Sequence, residues 1–214
     1  MLKNLSHIIV LVVVLLPQAS AMADSATTAD SAAAAFDYTV LPFDELLRLA
    51  NAGDTEAQYR MGKFCELGCI ECDGYTDAAR WYRLAAEKGH AEAQFELGTC
   101  YSNGYGVEND YDEAAKWYCK AAEQNNLDAQ CSLALYYYYG MGDEANIDYN
   151  KAAKWLLKAA ESGDSLSQYL LGRCYFNGRG VPKNSTEAKK WYRRAANQGN
   201  EEAAECLKIM GESR

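Results

Sequence analysis

The sequence predicts an all-α solenoid of four helix–turn–helix repeats with a capping helix at each end, and three recurring features predict it. Trp81, Trp117, Trp155 and Trp191 stand 36, 38 and 36 residues apart, each inside the phrase Arg/Lys-Trp-Tyr/Leu-x-x-Ala-Ala, at 80–86, 116–122, 154–160 and 190–196. A second phrase, Ala-Gln-Tyr/Phe-x-Met/Leu-Gly, precedes the first at 57–62 and 93–98 and recurs with losses at 129–134 and 167–172. Between the two phrases lie glycine-rich breaks, Asn103-Gly104-Tyr105-Gly106-Val107 and Asn177-Gly178-Arg179-Gly180-Val181, the latter followed by Pro182. A fixed period of this length marks stacked supersecondary units, each burying its apolar face only against its neighbours.

Taken in order, residues 1–23 have the pattern of a secretory signal. Lys3 gives the positive start, Ile8 to Leu16 is an unbroken apolar run, Pro17 breaks it, and Ala21-Met22-Ala23 offers small residues for cleavage. A run of nine residues is too short to span a bilayer as a helix. Residues 24–41 are rich in Ala, Ser, Thr and Asp and form a flexible spacer with little that can pack. At 42–53 a capping helix is expected: Pro42 fits the first helical position, and Asp44 and Glu45 complement the positive end of the dipole. Its Leu46, Leu47, Leu49 and Ala50 align with the Trp-containing phrase. The four repeats follow at 54–89, 90–125, 126–163 and 164–199, and residues 200–214 hold a C-terminal capping helix and tail.

Within a repeat, Ala93, Leu97, Gly98 and Tyr101 gather on one side of the first helix. In the second helix Ala114, Ala115, Tyr118, Ala121 and Ala122 form the opposing stripe, with Trp117 beside it. Gly89, Gly163 and Gly199 end that helix in three repeats, and Asn125-Asn126 does so in the remaining one. The Trp residues, fixed in a repeating helical phrase, read as packing residues rather than a stacking ladder for sugars or bases. Four successive positions, Tyr136 to Tyr139, point to all sides of a helix, so at least one ring should be exposed.

The phrases Ala-Gln-x-x-Leu-Gly-x-x-Tyr-x-x-Gly-x-Gly-Val and Ala-x-x-Trp-Tyr-x-x-Ala-Ala resemble those of the Sel-one-like repeat family, relatives of the tetratricopeptide repeats with a longer turn. The likeness covers residues 54 to 210 and implies a right-handed superhelix of helix pairs. Two departures predict altered turns: Cys69-Ile70 replaces Tyr105-Gly106 in the first repeat, and the third carries two extra residues around Ala145 to Asp148. The cysteine content resembles the disulfide-stapled exported members, although the cysteines here do not recur at one repeat position.

Without the signal the chain carries 20 basic and 30 acidic residues, a surface that repels nucleic acid and anionic headgroups. Neither nucleic acid nor stable membrane insertion is expected after signal cleavage, which leaves a protein or peptide partner in the cell envelope, periplasmic or secreted. His7 lies in the signal, so His90 is the only imidazole of the mature chain, and nothing near it in sequence supplies the orienting group of a nucleophile–base pair. No catalytic residue and no cofactor is expected. Some secreted relatives bind or hydrolyse β-lactams, which makes a cell-wall or β-lactam-binding protein the alternative; neither Ser-x-x-Lys nor Lys-Thr-Gly occurs.

All eight cysteines lie past the signal, and an even count in an exported chain favours disulfides. Cys65, Cys69 and Cys72 have a spacing that can hold an iron–sulfur cluster, but an export signal and helical repeats oppose it, and these residues are expected to pin the first turn. Eight cysteines allow 105 complete pairings. Cys100 with Cys174 is excluded, since they share one position two repeats apart. The working expectation is Cys69 with Cys72, Cys65 with Cys100, Cys119 with Cys131, and Cys174 with Cys206.

On each first helix the positions opposite the buried stripe give Tyr59, Phe95, Cys131 and Tyr169; Lys63, Thr99, Leu135 and Arg173; Glu66, Ser102, Tyr138 and Phe176. The next position adds Asn103, Tyr139 and Asn177. By resemblance to tetratricopeptide repeats this face lines the concave groove. Tyr59, Lys63, Phe95, Thr99, Asn103, Tyr138, Tyr139, Tyr169, Arg173, Phe176 and Asn177 are the expected partner-binding residues, because packing alone does not require such a mixture of rings, amides and cations on a solvent-facing stripe.

Overall fold

A computed structural model describes residues 41–68 and 72–211; the expected signal, most of the spacer and Cys69 lie outside them. Among the described residues there are ten α-helices and no strand: α1 (Phe43–Asn51), α2 (Thr55–Glu66), α3 (Gly74–Glu87), α4 (Ala91–Asn103), α5 (Tyr111–Glu123), α6 (Leu127–Tyr139), α7 (Tyr149–Glu161), α8 (Ser165–Asn177), α9 (Ser185–Asn197) and α10 (Glu201–Ile209). Each helix packs on the next in sequence, which makes an all-α repeat solenoid. The pairs are α2–α3, α4–α5, α6–α7 and α8–α9, with α1 and α10 as single helices at the ends. Pro42 sits one place before the helix, its carbonyl accepting from the amides of Glu45 and Leu46.

One side-chain position opens every first helix. Asp54, His90, Asn126, Asp164 and Asn200 each accept the backbone N–H three residues on, at 2.8, 3.2, 2.9, 3.1 and 2.8 Å. This satisfies one of the otherwise unpaired amides of the first turn. Second helices use Asp110, Asp148 and Asn184, each accepting two amides. At the junctions Asn125 is the one non-glycine at positive φ among the described residues, 66°, where the other repeats place Gly89, Gly163 and Gly199. A short amide side chain tolerates the left-handed region better than other non-glycine residues.

A glutamine staples each repeat to the one before. The Nε2 of Gln58, Gln94, Gln130 and Gln168 donates to the carbonyl of Ala50, Ala86, Ala122 and Ala160, over 3.1, 3.0, 3.3 and 3.1 Å. All four side chains are buried, so these bonds form where water cannot compete. Their acceptor ends differ. The Oε1 of Gln94 accepts from Gln124 and that of Gln168 from Gln198, at 2.8 and 2.9 Å, whereas the Oε1 of Gln58 is buried without a protein partner.

Inside a repeat the two helices meet across a glycine. A Cβ on Gly98 would stand 2.7 Å from two ring carbons of Tyr118 and 3.2 Å from the Ala114 carbonyl oxygen; Gly172 lies against Tyr192 in the same way. A second ring leans on each tyrosine: Tyr59 on Tyr82, Phe95 on Tyr118 and Tyr169 on Tyr192, with centroids 6.1, 5.7 and 6.0 Å apart. The third repeat solves the same packing differently. Ala134 replaces the glycine, Leu156 the tyrosine and Cys131 the second ring, with Ala134 and Leu156 fully buried. Trp155 and Trp191 are buried, and Trp81 and Trp117 pack partly buried against the core.

The cysteine expectations need correction. Cys65 is bonded to Cys72, Cα–Cα 5.3 Å, rather than to Cys100, and Cys72 is thereby taken from Cys69. The bridge spans the turn between α2 and α3, where the repeat lacks the usual glycine, and it leaves neither sulfur as a thiolate for a metal. Cys100, Cys119, Cys131, Cys174 and Cys206 are free thiols. Cys119 is turned towards Glu123 on its own helix, Sγ to Oε1 3.7 Å, while Cys131 faces Asp164 and Ser167 of the next repeat at 3.4 and 3.6 Å. Their sulfurs therefore point to different neighbours. Cys174 is enclosed in the core of α8, and Cys206 lies half-buried on α10 with Leu207 and Met210.

Candidate interaction surface

Side chains on one face of the first helices join α2 to α4 and α6 to α8. Lys63 of α2 reaches Glu96 of α4 at 3.1 Å, Cys131 of α6 reaches Asp164 at the start of α8, and Arg173 of α8 reaches the Tyr138 ring of α6. This row carries the residues picked out by sequence, in three groups of different chemistry.

The first group is self-neutralised. Lys63 donates to Glu66 at 2.9 Å and to Glu96 at 3.1 Å, and Glu66 also accepts from the Tyr82 hydroxyl at 2.8 Å. Burial works against the charges of Lys63 and Glu66, yet their mutual contacts prevail, raising the lysine and lowering the carboxyl of Glu66. Burial dominates at Glu96 and raises its carboxyl. Tyr59 lies next to this cluster, stacked on His90 with centroids 4.7 Å apart. His90 itself is a helix cap: Nδ1 accepts the Ala93 amide and Nε2 sits 2.9 Å from Glu56 Oε2. That geometry fits the neutral tautomer with its proton on Nε2.

The middle group is polar and small. The Thr99 hydroxyl lies 3.3 Å from the Tyr118 hydroxyl and donates to the Phe95 carbonyl, and Ser102 also lies 3.3 Å from Tyr118. The amide nitrogens of Asn103 and Asn177 donate to the carbonyls four residues back, Thr99 and Arg173. These helix-end bonds hold both amides in place while leaving each one N–H and the oxygen free.

The third group is aromatic and cationic. The Arg173 guanidinium stands 5.7 Å from the ring centroids of both Tyr138 and Tyr169. Tyr138 packs edge-on against Tyr139 and Tyr149 at 4.9 and 5.6 Å. Here the expected solvent-facing role of Tyr138 fails: it is only 4% exposed, held in by Tyr149 from the following helix, and its hydroxyl has no protein hydrogen-bond partner. Of the tyrosine run, Tyr139 is the exposed member at 52%, while Tyr136 is buried and donates to Asp112 at 2.6 Å. Phe176 is exposed, and it forms with Tyr192, Cys206, Ile209 and Met210 an apolar notch of about 90 Å³.

A feature the motif reading missed lies on the second helices. A cleft of about 800 Å³ opens between α5 and α7, lined by Lys116, Cys119, Tyr137 and Lys151 and closed on one side by the 3-10 turn Glu144–Asn146. Its sequence signal is the two-residue insertion of the third repeat. Among the described residues no helix is long and apolar enough to cross a membrane.

Comparison with known proteins agrees with this architecture. The Sel1 repeat profile matches residues 55–90, 91–126, 127–164 and 165–200. The solved protective antigen of uropathogenic Escherichia coli strains, which displays an SLR fold, is 36% identical, with a TM-score of 0.72 over 79% of this chain and 36% of its own. A Sel1 repeat protein from Oxalobacter formigenes is 34% identical, with a TM-score of 0.63 over 77% of this chain and 64% of its own. The chain thus spans about a third and somewhat under two thirds of these two. Cysteine rich protein B of Helicobacter pylori is 25% identical over 65% of this chain and 98% of its own, with a TM-score of 0.47. No match is found among curated proteins.

Proposed function

The chain belongs to the Sel1 repeat family, whose members are helical-repeat scaffolds that typically mediate protein–protein interaction, and from that premise we propose that it is an exported, non-catalytic adaptor. It engages a protein or extended peptide of the cell envelope through the first-helix face. The observation that carries this reading is a contrast between positions. Packing positions repeat almost unchanged, Ala57, Ala93 and Ala129 or Ala85, Ala121, Ala159 and Ala195, all with no exposure. The face beside them changes from repeat to repeat: Lys63, Thr99, Leu135 and Arg173, then Glu66, Ser102 and Phe176, with Tyr139 the exposed ring of the third repeat where Tyr138 is buried. Such a division leaves a constant frame and a variable surface. The secretory pattern of residues 1–23 directs the scaffold out of the cytoplasm.

The test is affinity capture from envelope extract with the full mature chain, alongside Tyr139→Ala and Phe176→Ala. One stoichiometric protein partner, lost in those variants without a change in melting temperature, is expected. Turnover of a chromogenic β-lactam by the purified protein would overturn the non-catalytic reading, and binding indifferent to both substitutions would move the interface elsewhere.

A further inference from the structure

Arg173 is a half-buried cation for which no carboxylate among the described residues acts as an ion-pair partner, whereas Lys63 at the same position of the first repeat is engaged by two. Its flat guanidinium lies over Tyr138 and Tyr169. Ring contacts of this kind occupy none of the N–H donors of the group, and among the described residues none of them donates to another side chain or carbonyl, so the fork can take a carboxylate bidentately. The hydroxyl of Tyr138, a residue 4% exposed, is a buried polar group without a protein partner. Tyr169 in turn packs on Tyr192, which walls the apolar notch together with Phe176. On one helix face Arg173 and Phe176 are three residues apart, a side-chain spacing of about 5–6 Å. Alternate side chains of an extended strand share a face at about 6.5–7 Å, so one extended segment can meet both.

We infer that this end of the surface binds an extended segment of the form acidic–x–apolar, the Asp or Glu side chain on Arg173 and the apolar side chain in the notch beside Phe176. The main chain of the segment then runs past Asn177, whose amide keeps one donor and its oxygen available. Adjacent residues of a strand point to opposite faces, so an acidic residue followed at once by an apolar one does not fit. This assignment rests on the adaptor reading above and adds the chemistry of the partner to it.

The test is selection of a random peptide library, displayed internally so that no free C-terminus is offered, against the full mature chain. The expected result is enrichment of Asp or Glu two places before Leu, Ile, Met or Phe. Arg173→Gln should then weaken a selected peptide about 10- to 100-fold, as loss of a charge-assisted hydrogen-bond pair does, with an unchanged melting temperature. Arg173→Lys should fall between, and Arg173→Glu should no longer select acids. Enriched peptides without the acid, or acid-bearing peptides indifferent to Arg173→Gln, overturn the inference; if those peptides still depend on Tyr139 and Phe176, the adaptor face stands. Failure of any peptide to enrich, with no protein captured from envelope extract, overturns both readings.

Discussion

The exchange of Gly and Tyr for Ala and Leu between repeats predicts a compensating pair of substitutions. In Gly98→Ala the new methyl would meet two Tyr118 ring carbons at 2.7 Å and the Ala114 carbonyl oxygen of the same facing helix at 3.2 Å. An ordinary carbon contact is about 3.5 Å, so the helix pair must open by most of an ångström or the ring must leave its rotamer. Overpacking of this sort costs about 1–3 kcal/mol. Replacing a mid-helix glycine returns about 0.5–1 kcal/mol of helix propensity. With two ring atoms and a backbone oxygen in the way, a net loss of about 1–2 kcal/mol is expected. For a chain of this size that lowers the melting temperature by roughly 2–8 °C. Tyr118→Leu alone removes a buried ring and leaves space beside Phe95. The double variant reproduces the Ala134–Leu156 arrangement that the third repeat already packs with no exposure, so the methyl fills part of what the ring gave up. A thermal and urea double-mutant cycle by circular dichroism should therefore show a favourable coupling of about 1 kcal/mol or more. Additivity within about 0.5 kcal/mol, or a Gly98→Ala protein at least as stable as the parent, would refute the reasoning.

Other expectations follow from the junctions and the thiols. Gln124 and Gln198 each stand thirty residues after the glutamine they bond, and Lys88 holds that place for Gln58. Lys88→Gln should supply the missing donor to the buried Gln58 Oε1 and raise stability by about 0.5–1.5 kcal/mol; a lower melting temperature would show that the Lys88 bond to the Gly53 carbonyl matters more. His90→Ala should cost about 1 kcal/mol as a lost helix cap, whereas His90→Asn, the residue found at the same place before α6 and α10, should be close to neutral. Equal losses in both would mean that the contact with Glu56 or Tyr59 dominates. In native alkylation followed by mass spectrometry, Cys100 and Cys174 should be protected, since burial pushes their thiols up to about 12 and about 11. Half-exposed Cys119 should react sooner, and Cys65 and Cys72 only after reduction; free Cys65 in unreduced protein would contradict the bridge.

Much of the fold was legible because the period repeats the same small-residue contacts. Ala-Gly and Ala-Ala pairs at fixed spacing announce close helix packing, and the Trp phrase reads correctly as packing at Trp155 and Trp191. The glutamine of the Ala-Gln phrase was visible but its purpose was not, since the acceptor carbonyl belongs to the preceding repeat and carries no side-chain signature. His90, read alone, is an isolated imidazole. Set in register with Asp54, Asn126, Asp164 and Asn200, it is a cap, and that register was available from the sequence. The surface was read less well where two elements compete for one side chain. Tyr138 and Tyr139 are equivalent in composition, and only the position of Tyr149 on the following helix buries the first and leaves the second in solvent. Cysteine pairing was least legible, because it depends on the path of one irregular turn, whereas the period describes the regular helices.

The glutamine staple and the shared capping position also bear on how such a chain can change length. Four boundaries present the same acceptor on one side, an alanine carbonyl, and the same glutamine donor eight residues later on the other, while Ala204 stands at that place before the end of the stack. A gene duplication or deletion of one whole period therefore rejoins chemically matched ends when it falls at one of these boundaries. The glycine–tyrosine and alanine–leucine solutions, by contrast, are confined within a single helix pair and travel with it as a cassette. Recombination whose breakpoints fall at the junctions preserves both, while a crossover between the two helices of a pair sets an alanine beneath a tyrosine. Inheritance in this architecture is thus expected to proceed in helix pairs, with the Cys65–Cys72 turn carried along as a private feature of the first.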